Sequence, residues 1–232
     1  MSTKSTSTST STSKRTSKRT SAPASAPVQD LQASAPAPAS APVQDLQAVM
    51  LAALKVRIDN APNENQKDNL QTEYKFFADN NGSIILNKVS DLIDICALSR
   101  KIAIIDKSNN DFVAVYALQK VRKMIYSFAN NTKSFIDGYS NSIIFNMVRL
   151  QEITNKSALI ALSKSVEYSE LDRIQEIKRQ INVAVSTAST QASSTRQMLN
   201  LLNIANVTKR KNNDEFSFND NATAKTLIAF YA

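Results

Sequence analysis

Lys120, Arg122, Lys123, Lys133 and Arg149 are the residues of this chain whose types and spacing most invite a chemical reading. They fall between Phe112 and Gln151, where a single acid, Asp137, opposes them for a net +4. Tyr116, Tyr126, Phe128, Phe135, Tyr139 and Phe145 are interleaved with them. Cationic groups hold phosphates and ring faces stack on bases, so this mixture suits a sequence-tolerant groove for single-stranded nucleic acid. The competing reading is plain packing, with rings in a core and charges outside. Phe112 and Phe128 lie on an apolar helical stripe and are assigned to the core, which leaves Tyr126 and Tyr139 as stacking candidates. Lys209, Arg210 and Lys211 form a second, shorter basic cluster.

Other chemistry is mostly excluded by composition. The chain has no His and one Cys, so Ser-His-Asp and Cys-His constellations and Cys/His zinc sites cannot form. Its two glycines, Gly82 and Gly138, stand far apart, which rules out a phosphate-cradling glycine loop. Asp91 with Asp94, and Glu167 with Glu170, are spaced to share a helix face. Paired acids of this kind can hold a hard cation, but on a helix they are far more often solvated. No enzyme, no cofactor and no metal site are expected.

The N-terminal segment carries the strongest charge bias. Residues 1–20 hold Lys4, Lys14, Arg15, Lys18 and Arg19 and no acid, within an alternating Ser/Thr run. Such a segment has too little apolar surface to offset the entropy of ordering and is expected to be disordered. A phosphate-neutralising arm is the leading reading of Lys14, Arg15, Lys18 and Arg19. A transit peptide, a nuclear address and a solubilising tail are the alternatives. An apolar h-region is missing, so an intracellular or virion location without a secretory signal is expected, and no apolar run is long enough to span a bilayer. Ala24–Ala33 recurs without change as Ala39–Ala48, and its Val-Gln-Asp-Leu-Gln core is either a docking motif shown twice to a protein partner or a slippage product.

The elements that must position these groups are helical. Both glycines lie beyond Pro62, the last of six prolines, so the body has little strand punctuation. Apolar spacing predicts helices at about 43–59, 63–79, 86–105, 110–129, 143–154 and 159–166, with a turn at Asp79–Gly82. The organising element is a seventh, from 169 to 205. Its a and d positions include Leu171, Ile174, Ile181, Val185, Ala188, Ala192, Leu199 and Leu202, a heptad stripe with a small-residue centre that admits close approach of another helix. The expected fold is all-α: six to seven helices built on this long helix (46–207), after a basic disordered arm (1–45) and before a basic loop and apolar tail (208–232). The expected function is that of a structural, self-associating nucleic-acid-binding protein of coat or nucleocapsid type. It would form a homo-oligomer through the heptad stripe or the apolar C-terminus and bind single-stranded RNA. The alternative is a coiled-coil scaffold that pairs residues 169–205 with a partner helix.

Overall fold

The computed structural model describes residues 45–108, 112–166, 176–208 and 214–232. The basic arm, Leu171, Ile174 and Lys209–Lys211 lie outside the described residues. Helix dominates, as the all-α expectation holds, and a small three-stranded antiparallel sheet accompanies it.

Local side-chain chemistry sets most helix starts. Asp45 accepts from the amides of Gln47 and Ala48 and opens α1 (Leu46–Asp59), and Asn63 accepts from the Gln66 amide and opens α2 (Glu64–Ala78). Gln47 then donates to the carbonyls of Phe77 and Asp79 at 2.7 and 3.2 Å, satisfying acceptors that the end of α2 leaves open. The second copy of the duplicated motif therefore starts α1 and ties it to α2.

α3 (Asn80–Val89) follows after one residue, Asp79, where a turn was expected over Asp79–Gly82. Gly82 makes this corner possible, because a Cβ there would stand 2.1 Å from the Phe77 carbonyl oxygen. The expected helix 86–105 is broken at Ser90–Asp94. Asp94 caps α4 (Ile95–Ile102) by accepting from the Ala97 amide at 2.8 Å, so it belongs to a helix start and not to a paired-acid helix face.

α5 (Val115–Ala129) buries Ala117, Leu118, Val121, Met124, Ile125 and Phe128. A 3-10 turn (Lys133–Phe135) leads to α6 (Gly138–Leu150), capped by Asp137 and ended by Gln151 in the left-handed region at φ 65°. The strand β1 (Glu152–Thr154) and α7 (Asn155–Leu162), capped by Thr154, come next.

The largest correction concerns the long helix. Residues 177–184 form neither helix nor strand, and only α8 (Val185–Leu201) is helical in the C-terminal half of the predicted span. Asn146, wholly buried on α6, clasps this strap by meeting both backbone groups of Lys178. Its Oδ1 accepts from the Lys178 amide at 2.7 Å, and its Nδ2 donates to the Lys178 carbonyl at 2.8 Å. Val183 donates to the Leu162 carbonyl, and Arg179 donates through Nε to that of Ile160. Non-local partners thus take the backbone groups that a helix would have paired internally.

α8 leads into β2 (Ala205–Thr208), which pairs antiparallel with β3 (Glu215–Phe218), and β3 pairs on its other edge with β1 in the order β1-β3-β2. The apolar C-terminus docks on its own body as α9 (Ala222–Ala229). Ala224 and Leu227 are fully buried, Phe230 lies 5.8 Å from the Phe128 ring, and the Tyr231 hydroxyl donates to Asn141 at 2.8 Å. One apolar cluster runs from Met50 on α1 to Leu227 on α9. No helix among the described residues is long and apolar enough to cross a membrane.

Candidate nucleic-acid interface

α5 carries most of the candidate residues, and its packing sorts them. Lys120 is only 5% exposed. Its Nζ donates to Asp137 Oδ1 at 2.9 Å and to Ser140 Oγ at 3.0 Å. Asp137 also accepts from the Ser140 amide and hydroxyl, and that hydroxyl meets Thr195 Oγ1 of α8 at 3.0 Å. Burial raises the Asp137 carboxyl, but the Lys120 ammonium and the donors of Lys120 and Ser140 outweigh it and hold the group below the usual carboxylate range. This network ties α5, α6 and α8 together, so Lys120 is a buried cross-link and not the open phosphate ligand expected from the sequence.

Arg122 is also committed. Its Nε lies 2.7 Å from Glu73 Oε2, and its guanidinium stands 5.0 Å from the Phe76 ring centre. The pair is a charge contact without hydrogen-bond geometry, since neither Glu73 oxygen has a hydrogen-bonding partner among the described residues. Glu73 is 1% exposed, and burial pushes its carboxyl up despite the nearby Arg122. Tyr126 packs in T-shaped contacts with Phe76 and Phe135, with centroids 5.7 and 4.4 Å away, so its ring is engaged within the chain. Lys133 is exposed and sits 4.8 Å from the Tyr231 ring, and Lys123 is half-buried at a pocket rim.

The heptad residues are placed just as plainly. Ala188, Ala192, Leu199 and Leu202 are buried within the chain, Ile181 is half-buried in the strap, and Val185 is exposed. Continuous coiled-coil pairing of 169–205 needs a helix that residues 177–184 do not form.

One aromatic remains open to solvent in the right setting. Tyr116, in the first turn of α5, is 53% exposed. At i, i+3, i+4 and i+7, Tyr116, Gln119, Lys120 and Lys123 share one helix face. Gln197 of α8 fixes the backbone just before them: its Oε1 accepts from the Ala114 amide at 2.9 Å, and its Nε2 donates to the Phe112 carbonyl.

Tyr116 borders two hollows. One, of about 400 Å³, is lined by Asn65, Gln66, Asn69, Lys107 and Phe112. The other, of about 170 Å³, is lined by Gln119, Lys120, Lys123, Asp137, Tyr139 and Gln191. Together they make an amide-lined surface with an exposed ring at its middle and Lys107 and Lys123 on either side. Such a surface can stack a planar base, hydrogen-bond its edge and hold the adjoining phosphate.

Tyr116 is one of the interleaved aromatics and not among the stacking candidates expected from the sequence, and Gln66, Lys107 and Gln191 are not among the expected site residues. The helical spacing of Tyr116 to Lys120 and Lys123 was the available signal. Gln191 had none, being brought from α8 by tertiary packing. No family model, curated protein or solved structure matches this chain.

Proposed function

We propose that the chain is a structural, self-associating protein that binds single-stranded nucleic acid, of coat or nucleocapsid type. The observation that carries this reading is the exposed Tyr116 ring set between two amide-lined hollows with Lys107 and Lys123 beside them. The charge balance supports it, with +8 over the chain and five bases without an acid in residues 1–20. In this reading Lys14, Arg15, Lys18 and Arg19 neutralise phosphates without reading sequence, and Lys209–Lys211 add to the field. The ring supplies contact with bases. No catalysis is invoked.

The test is anisotropy with a single-stranded oligonucleotide at several salt concentrations, using the full chain and its Lys14, Arg15, Lys18, Arg19→Gln variant. Each single-strand phosphate contact contributes roughly 0.7 to the log–log salt slope, so the quadruple variant should lower the slope by up to about 3. A chain that ignores RNA and DNA even at low salt refutes the proposal. Self-association is read separately by sedimentation at rising concentration. Val185→Asp, at an exposed position, should weaken it with the fold intact, and a monomer at every concentration removes that half of the reading.

A further inference from the structure

We propose that the smaller hollow beside Tyr116 takes one unpaired nucleobase, with the adjoining phosphate held at Lys123. This rests on the nucleic-acid reading and specifies which part of the strand the surface grips. At about 170 Å³ the hollow is below the range of ordinary small-molecule sites, a size that suits one heterocycle.

Its floor is chemically defined. Lys120 Nζ spends two of its three N–H groups on Asp137 and Ser140 and keeps one. Asp137 Oδ1 accepts from Lys120 and the Ser140 amide, and Oδ2 accepts from the Ser140 hydroxyl, leaving a lone pair on Oδ2. A fixed donor therefore stands beside a fixed acceptor, which is the pattern complementary to the edge of a nucleobase, where acceptor and donor groups are neighbours. The Gln191 amide can offer either role, and Gln119, whose Nε2 donates to Asn69 Oδ1 at 3.0 Å, keeps its carbonyl oxygen and one N–H. Tyr116 and Tyr139 supply ring surface, and Lys123 supplies charge at the rim. A neutral sugar would satisfy the floor but leave the Lys123 charge without a counterpart.

The site is also rigidly built. Its side chains come from α5, the start of α6 and α8, and the Lys120–Asp137–Ser140–Thr195 network locks those three elements together. A preformed hollow of this kind binds without a cost of ordering its walls.

The experiment compares two single-stranded oligonucleotides of equal length and charge, one bearing bases and one with an abasic backbone, against the full chain. The abasic strand should bind on the order of tenfold more weakly. The chain contains no Trp, so Tyr116→Trp places a lone indole at the mouth of the hollow. Its emission should be quenched by the base-bearing strand and not by the abasic one. Gln191→Phe fills the smaller hollow while leaving the larger one open, and it should abolish the tenfold preference without weakening abasic binding. Equal affinity for both strands overturns the proposal and leaves charge-driven binding standing. A preference that survives Gln191→Phe places the base elsewhere and also overturns it. If neither strand binds at low salt, the nucleic-acid reading falls and the pocket assignment with it.

Discussion

Asp137→Asn isolates the value of the buried pair beneath the candidate interface. Asn caps a helix about as well as Asp, so the start of α6 survives while the charge is lost, and with it the Oδ2 acceptor of the Ser140 hydroxyl. Lys120, 5% exposed, is then left as an ammonium without its counter-charge. Breaking a buried pair from one side costs about 3–5 kcal/mol, a third or more of the stability of many domains. Asp137→Ala also removes the acceptor for the Ser140 amide, adding about 1 kcal/mol. The combined Lys120→Met, Asp137→Asn chain buries neither charge and should recover to within about 2 kcal/mol of the wild type. Urea unfolding of the wild type, Lys120→Met, Asp137→Asn and the combined variant closes a double-mutant cycle, and the recovery of the double variant is its signature. The wild type should also lose stability as pH falls. The Asp137 carboxyl is held below its unfolded value of 3.8, so its contribution is present above that value and is lost as pH drops through the lower, folded one. An Asp137→Asn protein within about 1 kcal/mol of wild type would show that the ammonium finds water, and the argument for a locked three-helix floor would fail.

Three further outcomes follow from the same packing. Gly82→Ala should destabilise by about 2–3 kcal/mol in urea, because its Cβ would meet the Phe77 carbonyl oxygen at 2.1 Å. Helix propensity alone gives the opposite sign, a gain of about 1 kcal/mol, so stabilisation would refute the close α2–α3 corner. Asn146→Ala removes both halves of the clasp on Lys178 and should cost about 1–3 kcal/mol. Hydrogen exchange at the Lys178 amide should quicken about tenfold or more if the strap is held as described, and unchanged exchange there would count against it. Glu73 behaves oppositely to Asp137: burial raises its carboxyl above 4.5, so its contribution is full below that value and is lost as pH rises through the folded one. Glu73→Gln should flatten this decline in urea midpoints as pH rises from 4.5, and an unaltered slope would mean that Glu73 is not its source.

What could be read from the chain before its structure was the local part. α1, α2 and α5 announce themselves through apolar spacing and through caps that lie next to the helices they start, such as Asp45 and Asn63. The strap shows where periodicity misleads. Heptad spacing runs through 171–202, yet Ile181-Asn182-Val183-Ala184-Val185 also alternates large apolar residues with smaller or polar ones, and β-branched residues occupy the alternate positions as they do in strands. Both periods fit the same residues. The choice is made by Asn146, 32 residues from Lys178, whose amide offers the strap a backbone partner. The sheet was hidden for a related reason: Glu215-Phe216-Ser217-Phe218 alternates, but its pairing partners lie at Glu152–Thr154 and Ala205–Thr208.

The candidate site divides along the same line. Nothing local marks Lys120 as buried and Lys123 as accessible, since each lies on a helix face with aromatics nearby. Asp137, 17 residues on, decides it by providing Lys120 with a counter-charge. The small-residue stripe of α8 completes the argument. Ala188, Ala192 and Thr195 do permit close approach, and the neighbours they admit are α5, α6 and α7 of the same chain. That closeness brings Thr195 Oγ1 to 3.0 Å from Ser140 Oγ, and it places Gln191 at the hollow and Gln197 against the backbone that precedes Tyr116. A pattern that spacing alone could assign to an interface between molecules instead positions the candidate site within one. Any self-association must therefore use surface that α8 leaves free, of which Val185 at its first turn is the heptad member exposed among the described residues.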